Sequence, residues 1–249
     1  MFPNKISVLS QPPTTVSPTS TSYVDFDDGS DQYIITGSSP PLSFRGEEER
    51  SISLWVKFDG APSGWMTLLN YGGTDAGLGL EILINENIFL LTCVDGGGNN
   101  SSHTTTPTTS GWANTWTHLG VVMTTVSGST MKAQHWVNGV KEGSLSPDML
   151  NINTASTVID FGRRRAGSGS LHYDGGMDLV AIFGKALSDA EMVALYGSDN
   201  TPVAAGDASD ISDLVGYWKF ETGSGSTAYD SSDEGNDATL YNTPTWASH

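Results

Sequence analysis

Hydrophobic and polar residues alternate along most of this chain with a period of two. In the run 51–58, Ile52, Leu54, Val56 and Phe58 fall on one face and Trp55 on the other, which predicts a half-buried strand. The same alternation appears in 23–27 and 32–36, with the turn-forming Asp28-Gly-Ser-Asp31 between them. Further strands are predicted over 65–71, 78–84, 88–94, 116–124, 132–137, 158–161 and 177–183, each bounded by Gly, Asn or Asp. Asn138-Gly139, set between 134–137 and 140–141, is the strongest hairpin signal. One stretch has helical texture. Ser188-Asp-Ala-Glu191 reads as a capping box, Met192, Val193, Leu195 and Tyr196 supply an apolar face, and Gly197 can end the helix in the left-handed conformation.

The flanks differ from this core. Residues 1–20 are rich in Pro, Ser and Thr, which forbids a helix or a central strand and predicts an extended arm. Residues 21–200 carry the strand pattern, 201–213 read as a linker, and 214–249 form a tail with a strand at 214–220 and others at 238–241 and 245–246. The tail holds Leu214, Tyr217, Trp218, Phe220, Leu240, Tyr241 and Trp246, too much apolar area for a solvated segment. Many short strands, turns between them and one short helix predict an all-β fold of two packed antiparallel sheets.

Composition narrows the function. The formal net charge is −17, from 28 acidic and 11 basic residues among 249. That excludes nucleic acid as a partner, because its binding requires Lys and Arg to displace counterions, and it disfavours an anionic membrane surface. No apolar run is long enough to span a bilayer, and the first ten residues lack the pattern of a secretory signal, so no membrane insertion is expected. The single Cys93 lies in an apolar run and reads as a buried small hydrophobe.

Several segments, in order, resemble the laminin-G-like, concanavalin-A-like jelly rolls. They are Phe26-Asp-Asp-Gly-Ser-Asp31 before Tyr33-Ile34, the Trp-containing 51–57, Trp116-Thr-His118, Trp136-Val-Asn-Gly-Val140, and the closing run 173–180 followed by 186–196. The resemblance covers about 21–197 and implies a two-sheet antiparallel jelly-roll sandwich. Segment 214–246 resembles the part that usually precedes the Phe-Asp-Gly strand, here placed after the domain. The domain is then circularly permuted, or the tail completes a neighbouring copy, or it is a truncated second repeat. The resemblance also implies a structural Ca2+ held by Asp27, Asp28, Asp31 and Asp178, oxygen ligands of the type that cation takes. The alternative is that these aspartates only bond to turn backbone.

Other candidate ligand-binding residues follow from chemistry. Trp65, Trp112, His172 and Tyr173 fall in or at the edge of predicted loops and can stack on sugar rings, the alternative being a place in the core, and Arg163 and Arg164 belong to the one basic cluster, suited to a carboxylate-bearing glycan or an acidic partner, the alternative being a solvated loop. Enzymatic readings find no support. Glu81 and Glu86 are separated by an odd number and fall on opposite faces of a strand, and the five histidines lack metal-ligand spacing. The expectation is a non-catalytic protein. A virion surface or assembly protein is expected, one that would meet other structural proteins or its own copies through residues 1–20 and could bind glycans. The alternative is a secreted or cell-surface carbohydrate-binding or adhesion module, extracellular rather than on a virion.

Overall fold

The computed structural model describes residues 20–37, 48–72, 79–94, 100–109, 111–127, 130–150, 158–164, 171–198 and 200–249. The arm 1–20 therefore lies outside the described residues except for Ser20. In chain order the strands are β1 (Ser22–Phe26), β2 (Tyr33–Thr36), β3 (Arg50–Phe58), β4 (Trp65–Tyr71), β5 (Gly79–Asn85) and β6 (Ile88–Val94). Then come β7 (Asn100–Thr105), β8 (Trp116–Ser127), β9 (Thr130–Val137), β10 (Val140–Glu142), β11 (Met149–Leu150), β12 (Ile159–Phe161) and β13 (Gly175–Phe183). The helix α1 (Asp189–Tyr196) follows, and β14 (Leu214–Trp218), β15 (Thr227–Ala228), β16 (Ala238–Tyr241) and β17 (Thr245–Ser248) complete the chain.

These strands form two sheets, with every strand-to-strand pairing antiparallel. The first runs β10-β9-β8-β3-β13-β1-β17, with β11 also on β9 and β14 also on β13. The second runs β15-β16-β2-β12-β4-β5-β6-β7. The chain is thus a jelly-roll sandwich of the concanavalin A type. The period-two pattern explains the packing: Ile52, Leu54, Val56 and Phe58 from β3 meet Leu69, Ile82, Leu91 and Phe161 from the facing sheet in one apolar core. Trp55 points to the other side of the first sheet, where it joins Trp136, Phe183, Leu187, Met192, Leu195 and Tyr217 in a second cluster beneath α1. Two fully buried clusters are what alternation on a sheet covered on both faces must produce.

α1 starts as the capping box dictates: Ser188 Oγ accepts from the Glu191 amide, and Glu191 Oε2 accepts from the Ser188 amide at 2.8 Å. Its end departs from expectation. Gly197 has φ 80° but ψ −136°, outside the left-handed helical region, and only glycine fits there, since the Ala204 carbonyl passes where a side chain would stand. The segment between α1 and β14 is not an extended spacer. It contains two turns of 3-10 helix, Pro202–Ala204 and Ala208–Asp210, and buries Ala205 and Ala208 in the second cluster.

Residues 214–248 pair with the same chain in both sheets. Along one side, β13 is bonded first to β1 (Met177 opposite Val24) and then to β14 (Val180 opposite Trp218). Between these two stretches Leu179 takes φ 44° at a bulge that lets β13 change partner. β17 lies on the outer side of β1, and β16 extends the second sheet beside β2. Trp218 is wholly buried, its ring 4.9 Å from that of Phe161, and its Nε1 donates to the Asn236 carbonyl.

Candidate functional site

The outer face of the second sheet carries an ordered set of polar residues. Strand registers align Asp160, Asn70, Glu81, Thr92 and Ser102 in one row across β12, β4, β5, β6 and β7. Leu69 and Tyr71 point into the core, so Asn70 points outward by alternation. Two consecutive arginines after β12 reach back to this row. Arg163 Nε donates to Asp160 at 2.9 Å, and its guanidinium carbon lies 3.3 Å from the centroid of Tyr33, which is stacked on Tyr241. Arg164 meets Glu81 side-on, with Nε at 2.7 Å and 3.0 Å from the two oxygens and Nη2 at 2.7 Å. Thr67 Oγ1 donates to the same carboxylate at 2.8 Å. Asn70, wholly buried between the two carboxylates, has no hydrogen-bond partner at either end of its amide among the described residues. Such a group costs on the order of 1–3 kcal/mol.

Two residues further along β5 and β6, the face becomes apolar. Trp65 on β4, Leu83 on β5, Leu90 on β6, Leu171 and Arg164 line a cleft of about 280 Å³. Trp65 is 39% exposed although it sits at the head of a strand. The cleft therefore joins an accessible aromatic ring, an apolar floor and a fixed guanidinium, the combination that receives a ligand with an apolar face and a polar rim. Of the sequence-derived candidates, Trp65 and Arg164 come together here. Arg163 lies one step away on Tyr33.

The other aromatic candidates do not belong to it. Trp112 is buried and stacked on Phe58 at 5.9 Å, and Tyr173 is fully buried, its hydroxyl donating to the Gly176 carbonyl at 2.7 Å. Both therefore take the alternative reading, a place in the core, and not the sugar-stacking one. His172 turns its Nε2 to Asp31 at 3.3 Å.

The acidic set is also rearranged. Carboxylate oxygens of Asp27, Asp28 and Asp174 lie within 4.8 Å of one another. Burial, together with Asp28 and Asp59 nearby, holds the Asp174 carboxyl above its ordinary value. Asp31 faces His172, and Asp178 is elsewhere. Val24 pairs with Met177 and Phe26 with Gly175, so Asp174, and not Asp178, adjoins the Asp27 turn. Four residues of strand, roughly 13 Å, separate the two positions. Asp178 is fully buried and bonded to Ser20 Oγ at 2.6 Å, to His249 Nε2 at 2.9 Å and to the Leu179 amide at 2.8 Å. Burial pushes its carboxyl up to about 6 against those bonds.

Nucleophiles and bases elsewhere are closed off. Burial pushes the Cys93 thiol up to about 12 and the rings of His118 and His135 down to about 3, so all three are neutral at pH 7. No helix among the described residues is long and apolar enough to cross a membrane.

Two facing antiparallel sheets in this strand order, with a lined cleft on the outer face of one, define a lectin-type jelly roll. The chain belongs to the concanavalin A-like lectin/glucanases superfamily, whose laminin-G-type family model matches residues 28–193. A search of curated proteins returned no match. Among solved structures, a Bacteroides ovatus protein provisionally described as carbohydrate-binding superposes with a TM-score of 0.65 at 16% identity, covering 94% of this chain and 60% of that one. The present chain thus spans less than two thirds of that relative. A carbohydrate-binding module (CBM40) of a Ruminococcus gnavus IT-sialidase, solved with α2,3-sialyllactose, gives 0.51 at 14% identity, covering 72% and 95%. A heptameric pentraxin of Limulus polyphemus gives 0.52 at 10% identity, covering 90% and 96%. At these identities the likeness is one of fold.

Proposed function

We propose that this protein is a non-catalytic carbohydrate-binding module whose site is the Trp65–Arg164 cleft on the outer face of the second sheet. The observation that carries the reading is the placement of a 39% exposed Trp65 beside a fixed Arg164 over Leu83, Leu90 and Leu171. A pyranose ring offers its C–H face to the indole and its hydroxyls to the guanidinium edge. The descriptions of the Bacteroides and Ruminococcus relatives as carbohydrate-binding agree with this use of the fold. Glycoside hydrolysis requires a second carboxyl group about 5–9 Å from the first and free to exchange a proton. Glu81 is committed to Arg164 and Thr67 instead, which favours binding without turnover.

The test is a glycan array read with the purified chain, repeated with Trp65→Ala. Retained folding with lost binding supports the site, and binding unaffected by the substitution removes it. The setting we propose is an exposed surface, of a virion or of a cell. Residues 1–20 would be the tether to other structural proteins or to further copies. Proteomic comparison of purified particles, cell envelopes and culture medium decides between the two settings.

A divalent cation forms a secondary part of the proposal. Asp27, Asp28 and Asp174 present hard oxygen donors within 4.8 Å of one another, and burial with the like charges of Asp28 and Asp59 raises the Asp174 carboxyl, a donor set that would suit Ca2+. Asp27 is partly committed, since its two oxygens accept from the Gly29 amide and the Ser30 hydroxyl.

A further inference from the structure

The charge balance inside the cleft carries a statement about its ligand that rests on the carbohydrate-binding reading above. Among the described residues, Arg164 is the one cation lining the Trp65 cleft, and its charge is matched within the site. The Glu81 carboxylate that holds it is buried, accepts three close contacts from the guanidinium and takes a fourth hydrogen bond from Thr67. Glu81 cannot swing away to release a bare cation without leaving its own charge uncompensated beneath the surface. The neighbouring Arg163 is matched in the same way by the fully buried Asp160, and the face of its guanidinium is spent on Tyr33. Around the site the protein carries a formal charge of −17, a field that repels polyanions.

We infer that the cleft selects uncharged saccharides, and that Arg164 serves it as a rigid, charge-neutral hydrogen-bond donor instead of an anion receptor. Glu81 is the positioning residue. It orients the guanidinium edge toward the ring that packs on Trp65 and cancels the attraction that would recruit carboxylated or sulfated sugars. This departs from the acidic-glycan reading that an arginine pair invites from sequence alone.

The experiment uses the full chain on an array carrying neutral, carboxylated and sulfated oligosaccharides. Calorimetry then follows on the best neutral hit and on polygalacturonate, between 20 and 500 mM NaCl. The expected result is binding to a neutral glycan that changes less than about twofold across the salt range, as for uncharged partners, and that weakens about tenfold in Trp65→Ala. Glu81→Gln uncovers the cation, and it should gain salt-sensitive binding to polygalacturonate that the parent lacks. If that variant fails to fold, the parent's salt series still decides. Trp65-dependent binding to acidic glycans that weakens steeply with salt overturns the inference while leaving the carbohydrate-binding reading intact. Binding to no glycan overturns both.

Discussion

Ser20 Oγ and the Asp178 carboxylate lie 2.6 Å apart although 158 residues separate them, and His249 reaches the same carboxylate oxygen at 2.9 Å. One buried acid thus ties Ser20, two positions before β1, and His249, the residue after β17, to the middle of β13. The Asp178 carboxyl is raised to about 6, above its unfolded value of 3.8, so its contribution to stability is full below pH 3.8 and is lost as pH rises through 6. At about 1.4 kcal/mol per pH unit this amounts to roughly 3 kcal/mol.

His118 and His135 act with the opposite sign. Their folded values, near 3, lie below the ordinary 6.5, so they destabilise the fold as pH falls through that window. Thermal melts of the parent and of Asp178→Asn from pH 4 to 8 separate the two effects. The variant should gain stability relative to the parent as pH rises from 4 to 7, and a constant difference would refute the assignment.

Trp65→Ala should lower glycan affinity about tenfold, the loss of one stacking contact. Because the ring is accessible, unfolding free energy should change by less than about 1 kcal/mol. Titration calorimetry and chemical denaturation of the same preparation check both halves.

Millimolar CaCl2 should raise the melting temperature of the parent through mass action on Asp27, Asp28 and Asp174. In EDTA, Asp174→Asn should be equal to or slightly more stable than the parent, because it removes a carboxyl already held above its ordinary value by burial and by Asp28 and Asp59. It should then gain nothing from calcium. A parent indifferent to calcium sinks the site.

Trp218→Ala should destabilise the whole sandwich by about 3–5 kcal/mol, because the ring is fully buried against Phe161 and no neighbour can refill the space. Removing 207–249 should leave an insoluble product, since the partners of β14, β16 and β17 on β13, β2 and β1 would be bared. A truncated protein that melts at the parent's temperature would show that the tail is separate from the core.

The fold was legible wherever apolar alternation carried it. β3, β4 and β6 are evident from side chains alone, and so is the Ser188 cap. β7 was not, because Asn100-Ser-Ser-His-Thr-Thr105 has no apolar stripe. It is a strand because β6 offers it a ladder of backbone bonds, and its His103 and Thr105 pack against His135 at the sandwich rim. The site was legible in residue types but not in groupings. Trp65 and Arg164 are almost a hundred positions apart and meet only through the pairing of β4, β5 and β12. Asp174 went unnoticed beside a more conspicuous Asp178 because one register, Phe26 opposite Gly175, decides which of the two faces the turn. Glu81, weighed as a catalytic acid, is an anchor for Arg164, a role that depends on a partner 83 residues away.

The adjacency of β1 and β17 has a mechanical consequence. The two strands run antiparallel, with Ser22 opposite Ser248, so residues 20 and 249 leave the sandwich at one corner. Tension applied through both ends pulls across the ladder instead of along it, and opens its rungs in succession from Ser22 and Ser248 inward. Strands loaded in that geometry part at lower force than strands sheared in parallel, where all rungs resist together. In a chain under pull, the Asp178 contacts to Ser20 and His249 are therefore the first to break, and the Trp65 cleft, far from that corner in strand order, keeps its shape until the sheets separate.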